Sequence, residues 1–306
     1  MERLTLSDGI PDRLRGSVVA LGNFDGFHLG HQAVVGRAVA RAAHERRPAI
    51  VATFDPHPAR LFKPDCQPFR LTSLDQRQRM FTAAGADAML VFEFTAELAA
   101  TSAQGFVRLL VERVGAAGVV TGEDFTFGAR RGGNVQVLRE LGAAMGMAAE
   151  TVGAVELDGV PVSSSRVRQA LAAGNPGIAT HLLTRPFAIA GVVEHGDKRG
   201  RELGYPTANL TLGDYQRPAY GIYAVRARLD DGSEHAGVAN VGVRPTFEPP
   251  KELLEVHLFD FSGDLYGRTI EVGLHHFLRP EHRFDTMDAL AEQMREDERA
   301  ARIALA

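Results

Sequence analysis

The stretch Ser17-Val18-Val19-Ala20-Leu21-Gly22-Asn23-Phe24-Asp25-Gly26-Phe27-His28-Leu29-Gly30-His31 decides how the first half of the chain folds. Residues 17–21 form an apolar run of strand length. Residues 31–47 place Val34, Val35, Ala38 and Ala42 on one helical face. A strand that enters a helix through a glycine-rich turn is the unit from which parallel sheets are built. The glycines let the backbone approach a ligand closely. The start of the helix offers unpaired N–H groups and a positive dipole end, a seat for phosphate. His28 and His31 are three residues apart, so both can face that seat. Imidazole donors there can neutralise charge that develops on a transferring phosphoryl group.

Outward from this turn the pattern repeats. Apolar runs at 49–54, 88–92 and 118–121 alternate with helical patterns at 76–84, 105–114 and 134–145. This predicts an α/β domain, Rossmann-like, with helices on both faces of a parallel sheet. After about residue 186 the texture changes. Strand patterns at 187–194, 221–229, 234–241, 253–259 and 269–277 follow one another without helices between them, which predicts a small antiparallel β-barrel. A last helix is expected over 285–304, capped by Asp285, with an apolar stripe of Met287, Leu290, Ala291 and Met294 and a solvated run at Glu296, Asp297 and Glu298. Gly174, Asn175, Pro176, Gly177 and Pro186 mark the boundary, giving domains 1–184 and 185–306.

Length and charge agree. A chain of 306 residues is long enough for two domains. Residues 1–184 hold 19 basic and 18 acidic residues, and residues 185–306 hold 15 and 20. A net charge of −4 is too acidic overall for a protein whose main business is coating nucleic acid, and leaves room only for a local basic patch. No run approaches the apolar length of a membrane span, and the N-terminus lacks the apolar core of a signal peptide. The single cysteine, Cys66, reads as an inert loop thiol in a reducing, cytoplasmic setting. The expected partners are therefore small molecules. Oligomeric state stays open, a homo-oligomer included.

The second domain carries its own candidate site. Gly196, Lys198, Gly200, Arg201 and Gly204 form a glycine-rich, charged loop that can fold over phosphates, and it runs directly into Pro206-Thr207-Ala208-Asn209. Thr207 and Asn209 point the same way if extended, and their hard oxygens suit Mg²⁺ that also touches a substrate phosphate. The pair His275-His276 is set aside as a metal site, because strand neighbours point to opposite faces.

The first turn resembles the G-x-F-D-G-x-H-x-G-H motif of the nucleotidyltransferase superfamily. Phe54-Asp55-Pro56-His57-Pro58, Gly122-Glu123-Asp124-Phe125-Thr126-Phe127-Gly128 and Ser163-Ser164-Ser165-Arg166-Val167-Arg168 narrow this to the N-terminal module of bacterial bifunctional riboflavin kinase/FAD synthetases. In that family the last string reads S-S-T-R-I-R; here Ser165 keeps the hydroxyl. The glycine loop with P-T-A-N resembles riboflavin kinases. So do Asn240-Val241-Gly242-Val243-Arg244-Pro245-Thr246-Phe247, Glu255-Val256-His257-Leu258-Phe259-Asp260-Phe261, Asp264-Leu265-Tyr266-Gly267 and Phe277-Leu278-Arg279-Pro280-Glu281. The resemblance spans residues 17–284.

It implies two reactions: phosphorylation of riboflavin by MgATP to FMN, and adenylylation of FMN by a second ATP to FAD and pyrophosphate. It implies Glu255 as general base for the first, with Thr207 and Asn209 on Mg²⁺ and phosphate, and Arg279 and Glu281 on the flavin. For the second it implies His28 and His31 with Gly22, Asn23, Phe24, Asp25, Gly30, His57, Asp124, Ser164, Ser165 and Arg168 around ATP, and Phe54, Phe62, Phe125 and Phe127 around the isoalloxazine. Two rivals are weighed. One is a different adenylyltransferase, or a synthetase relative, fused to a barrel; a synthetase would carry a lysine-rich loop and a basic anticodon-binding domain. A flavin-binding regulator without turnover would not need Glu255.

Overall fold

The computed structural model describes residues 1–195, 205–244 and 251–306. Packing groups them into two compact units. One comprises Met1–Gln67 and Leu74–Ser163, the other Pro68–Ser73 and Ser164–Ala306.

The first unit is built on a six-stranded parallel sheet. Its strands are β1 (Glu2–Thr5), β2 (Val18–Leu21), β3 (Ala49–Asp55), β4 (Ala88–Glu93), β5 (Gly118–Gly122) and β6 (Ala148–Val152), in the spatial order β1-β4-β3-β2-β5-β6. Every pairing in this sheet is parallel. The chain winds outward from β2 in both directions, so the order reverses between β2 and β5. Loops at such a reversal leave the crevice where α/β sheets bind ligands. The central strands are continuous apolar runs because both faces are covered. Val19 and Leu21 enter one core with Phe54, Phe92, Phe106 and Leu110. Val18 and Ala20 enter the opposite core with Phe24, Val34, Val35 and Phe81.

The helices of this unit are α1 (Leu29–Glu45), α2 (Pro58–Phe62), α3 (Leu74–Ala83), α4 (Ala96–Ala100), α5 (Ala103–Arg108) and α6 (Val135–Ala144). The helix expected over 105–114 is composite. α5 passes into a π-turn at Leu109–Val114 that ends on Gly115 at φ +73°. A small hairpin joins β7 (Glu156–Leu157) to β8 (Val160–Pro161).

The second unit contains α7 (Ser164–Ala172), α8 (Pro176–Leu183) and a six-stranded antiparallel sheet. Its strands are β9 (Phe187–Val192), β10 (Ala208–Thr211), β11 (Gly221–Arg228), β12 (Glu234–Arg244), β13 (Lys251–Leu258) and β14 (Thr269–Pro280), ordered β10-β13-β12-β11-β14-β9. Ile189, Leu210, Tyr223, Val225, Val241, Leu254, Val256, Val272 and Leu274 are at most 1% exposed and line the inside. Burial pushes the Tyr223 phenol upward in pKa, and its hydroxyl donates to the Ala219 carbonyl at 2.6 Å.

The closing helix α9 (Met287–Leu305) covers part of the opposite face, where Ala224, Phe259 and Ala301 are buried together. Three expectations for it are corrected. The cap is Thr286, whose hydroxyl accepts from the Ala289 N–H at 3.2 Å, rather than Asp285. The buried face carries Asp297 and Ala301, whereas Met287 is 55% exposed. Asp297 is not solvated. It is 6% exposed and accepts two hydrogen bonds from Arg279, at 2.7 and 2.6 Å. No helix among the described residues is long and apolar enough to cross a membrane.

Candidate active sites

The turn after β2 is built by local chemistry. Phe24 and Phe27 adopt φ of +49° and +46°, unusual for bulky residues, and Gly26 takes +86°. Phe24 is held edge-on between His31, at 5.3 Å, and Phe81, at 5.8 Å. His28 is the N-cap of α1, and its Nδ1 accepts from the His31 N–H at 3.4 Å. The two imidazoles stack with ring centroids 3.7 Å apart. A side chain at Gly30 would press on the His28 ring, at 3.2 Å from Cε1, so this position favours glycine. Asp25 and His28 are buried, at 2% and 6% exposure. The structure thus brings His28 and His31 together at the head of α1, beside the sheet's reversal point.

The loops after β3 and β5 leave the same edge of the sheet. His57 caps α2, its Nδ1 accepting from the Ala59 N–H at 3.1 Å. Asp124 lies close to Gly122, where an added Cβ would meet its Oδ1 at 3.0 Å. The four phenylalanines separate. Phe54 and Phe127 are each 7% exposed and belong to the core, whereas Phe62 is 68% exposed. Phe94, absent from the sequence-based set, lies between Phe54, at 5.8 Å, and Phe62, at 6.1 Å. Phe125 stacks on Phe127 at 5.8 Å.

Ser164 and Ser165 open α7 in the second unit. Arg168, one turn on, donates from Nε to the Phe69 carbonyl at 2.8 Å, and its guanidinium lies over the Phe69 ring at 5.1 Å.

In the antiparallel sheet the register assembles a second site. Asn209 on β10 is directly opposite Glu255 on β13, and Glu255 is opposite Asn240 on β12. Asn240 pairs with Ile222 on β11, which pairs with Arg279 on β14. Cross-strand partners share a face, so these side chains form one row across five strands. Asn240 Nδ2 donates to Glu281 Oε1 at 3.1 Å, which brings Glu281 to the row. Glu255 is held by Arg244, which donates to both carboxylate oxygens, from Nε at 2.8 Å and from Nη2.

His257, two residues from Glu255, donates from Nδ1 to the Pro206 carbonyl at 2.9 Å and fixes the segment that leads to Thr207. Tyr205 packs edge-on against His257 at 4.9 Å. Burial, then the neighbouring Glu298 carboxylate, raises its phenol pKa. Gly196, Lys198, Gly200, Arg201 and Gly204 lie outside the described residues, as do Pro245, Thr246 and Phe247. In the sequence Asn240 and Arg244 carry only a family motif and no role. The strand register sets Asn240 opposite Glu255, and Arg244, in register with Lys251, reaches Glu255 through its guanidinium.

Two family models divide the chain in the order of these sites. The model for FAD synthetase matches residues 10–166, and that for riboflavin kinase matches residues 183–305. A relative from Pseudomonas fluorescens named bifunctional riboflavin kinase/FMN adenylyltransferase is 44% identical over 290 residues, covering 94% of this chain and 93% of its own length. The chain belongs to the bifunctional riboflavin kinase/FMN adenylyltransferase family. An Escherichia coli K12 member of that name is 41% identical, covering 94% of this chain and 92% of its own. A crystal structure from Streptococcus pneumoniae, described as a macrolide-efflux protein, has the same fold over 98% of both chains, with a TM-score of 0.87 and 32% identity.

Proposed function

We propose that the chain makes FAD in two steps. Residues 185–306 transfer the γ-phosphoryl group of ATP to the terminal hydroxyl of riboflavin, giving FMN and ADP. Residues 1–184 join FMN to the adenylyl group of a second ATP, giving FAD and pyrophosphate. The observation that carries the reading is the row Asn209–Glu255–Asn240 beside the Thr207 segment, in the half that matches riboflavin kinase.

A primary alcohol is a weak nucleophile. The Glu255 carboxylate takes its proton as the oxygen attacks phosphorus and ADP leaves. The Arg244 fork occupies one lone pair on each carboxylate oxygen and fixes the carboxylate plane, and the remaining lone pairs are available to the substrate hydroxyl. Among the described residues no group of three or more His, Cys, Asp or Glu side chains is arranged to hold a metal. The Thr207 hydroxyl and the Asn209 amide oxygen are hard donors of the kind Mg²⁺ accepts when phosphates and water complete its shell, so they would hold it. When bound, Mg²⁺ would draw off charge from the transferring phosphates. Arg279 and Glu281, at the far end of the row, face the flavin.

In the other half His28 and His31 steady the triphosphate as the FMN phosphate attacks Pα, with Gly22, Asn23, Phe24, Asp25 and Gly30 shaping the turn and His57 and Asp124 flanking it. Ser164, Ser165 and Arg168 supply hydroxyls and a guanidinium for phosphate at the head of α7. Phe62, as the most exposed of the four phenylalanines, is the isoalloxazine's first contact, with Phe125 second. A single thiol and a demand for ATP fit a cytosolic setting. The test is direct. Pure protein is incubated with riboflavin, ATP and Mg²⁺ and the flavins are separated. FMN followed by FAD is expected, and the absence of both refutes the reading.

A further inference from the structure

Helix α3 carries two buried side chains four residues apart, hence on one face: Arg77, 2% exposed, and Phe81, 0% exposed. Both support the 22–31 turn. Phe81 packs edge-on against Phe24 at 5.8 Å and Phe27 at 5.2 Å, the two residues of that turn other than glycine with positive φ. Arg77 supports its polar side. Arg77 Nη1 donates to Thr53 Oγ1 at 3.0 Å and to the Asn23 carbonyl at 3.3 Å. Thr53, on β3 and 0% exposed, donates from Oγ1 to the same carbonyl at 2.7 Å. Helix α3, strand β3 and the turn thus converge on one backbone oxygen.

We propose that Arg77, acting through Thr53, is a positioning residue for adenylyl transfer. It fixes the Asn23 carbonyl and so the geometry of the turn that seats the phosphates of ATP. The inference rests on reading that turn as the phosphate seat. Arg77 is too deeply buried to touch a nucleotide, so its effect passes through Asn23. Left-handed conformations at bulky residues persist only where the surroundings over-determine them. A buried guanidinium is likewise costly unless its donors are met. Four residues separate Asn23 from His28, and Phe24, Gly26 and Phe27 among them are at positive φ. This constrained segment carries a displacement of Asn23 to the His28 ring, which caps α1 and stacks on His31. Reacting groups displaced by an ångström lose rate steeply.

The test uses the full chain. Thr53→Val keeps the side-chain shape and removes the hydroxyl, and Thr53→Ser retains the hydroxyl. Arg77→Met keeps the length and removes the donors. Gln78→Ala is the control for loosening α3, since Gln78 donates to the Met1 carbonyl at 3.0 Å, away from the turn. For each variant, kcat and KM for ATP in FMN adenylylation are measured well below its unfolding temperature, with riboflavin phosphorylation measured in the same preparation. Thr53→Val is expected to lower kcat/KM for ATP about tenfold and Arg77→Met about a hundredfold. Thr53→Ser should stay near wild type, and phosphorylation should not change in any of them. Wild-type adenylylation kinetics in Thr53→Val would overturn the proposal, as would a loss matched by Gln78→Ala. If Arg77→Met does not fold, the Thr53 pair decides. Failure of the unaltered protein to make FAD strikes the reading of the turn instead, so the two failures are distinguishable.

Discussion

Asp297→Asn tests what holds the closing helix to the barrel. The carboxylate lies midway along α9 and accepts from Arg279 Nε at 2.7 Å, Arg279 Nη2 at 2.6 Å and Gln293 Nε2 at 3.2 Å. The side chains of Arg279 and Asp297 are 23% and 9% exposed. Removing one member of a fully buried ion pair costs about 3–5 kcal/mol, because the other charge is stranded. Arg279 keeps some water and asparagine still accepts one hydrogen bond, so about 2–3 kcal/mol is expected here. For a unit of this size that lowers the thermal midpoint by about 6–12 °C. Scanning calorimetry reads the shift. The double change Asp297→Leu with Arg279→Met should recover most of it, since apolar replacement of both partners is often neutral. Asp297→Asn should also raise KM for riboflavin, because Arg279 loses the partner that orients it. A midpoint within about 2 °C of wild type, or a double variant no more stable than the single, would refute the reasoning.

Four further outcomes are expected. Glu255→Gln should lower riboflavin phosphorylation by about 10²–10⁴-fold and leave FAD formation from supplied FMN intact, as separated flavins would reveal. His28→Ala should do the reverse, and loss of both activities in either variant contradicts two independent sites. Phe62→Ala should raise KM for FMN in adenylylation with little change in thermal midpoint, since the ring is 68% exposed. The Glu252 carboxyl is held below its usual 4.5 chiefly by hydrogen bonds from Arg217, with Tyr220 adding to them. A depressed folded pKa contributes stability above the unfolded value that is lost as pH falls through the folded one. The barrel's midpoint should therefore drop on acidification below pH 4.5, and Glu252→Gln should make that drop shallower.

Strands β2, β3, β4 and β5 were legible because strands buried on both faces read as unbroken apolar runs. β1, with the sequence Glu2-Arg3-Leu4-Thr5, was not, since an edge strand needs no such run. β10 is four residues long and follows directly on the glycine loop, so it carried no period of its own. Asp297 looked solvated within Glu296-Asp297-Glu298, because local charge does not say which face of a helix packs. Its partner Arg279 lies 18 residues away on a strand. The His28–His31 turn was readable because its chemistry is contiguous. The pairing of Asn209, Glu255, Asn240 and Arg244 was not, because it exists only across strands.

That row makes the hydrogen-bond ladder the ruler of the proposed phosphorylation site. Sliding β13 by one residue against its neighbours would replace Glu255 on the outer face with Leu254 or Val256 and send the carboxylate into the apolar interior. With Glu255 as the proposed base, one residue added inside β13 should silence the kinase while leaving every motif letter in place. Sequence drift in this half of the protein should therefore concentrate in substitutions and loop changes, with the strands acting as a fixed scale that insertions cannot cross.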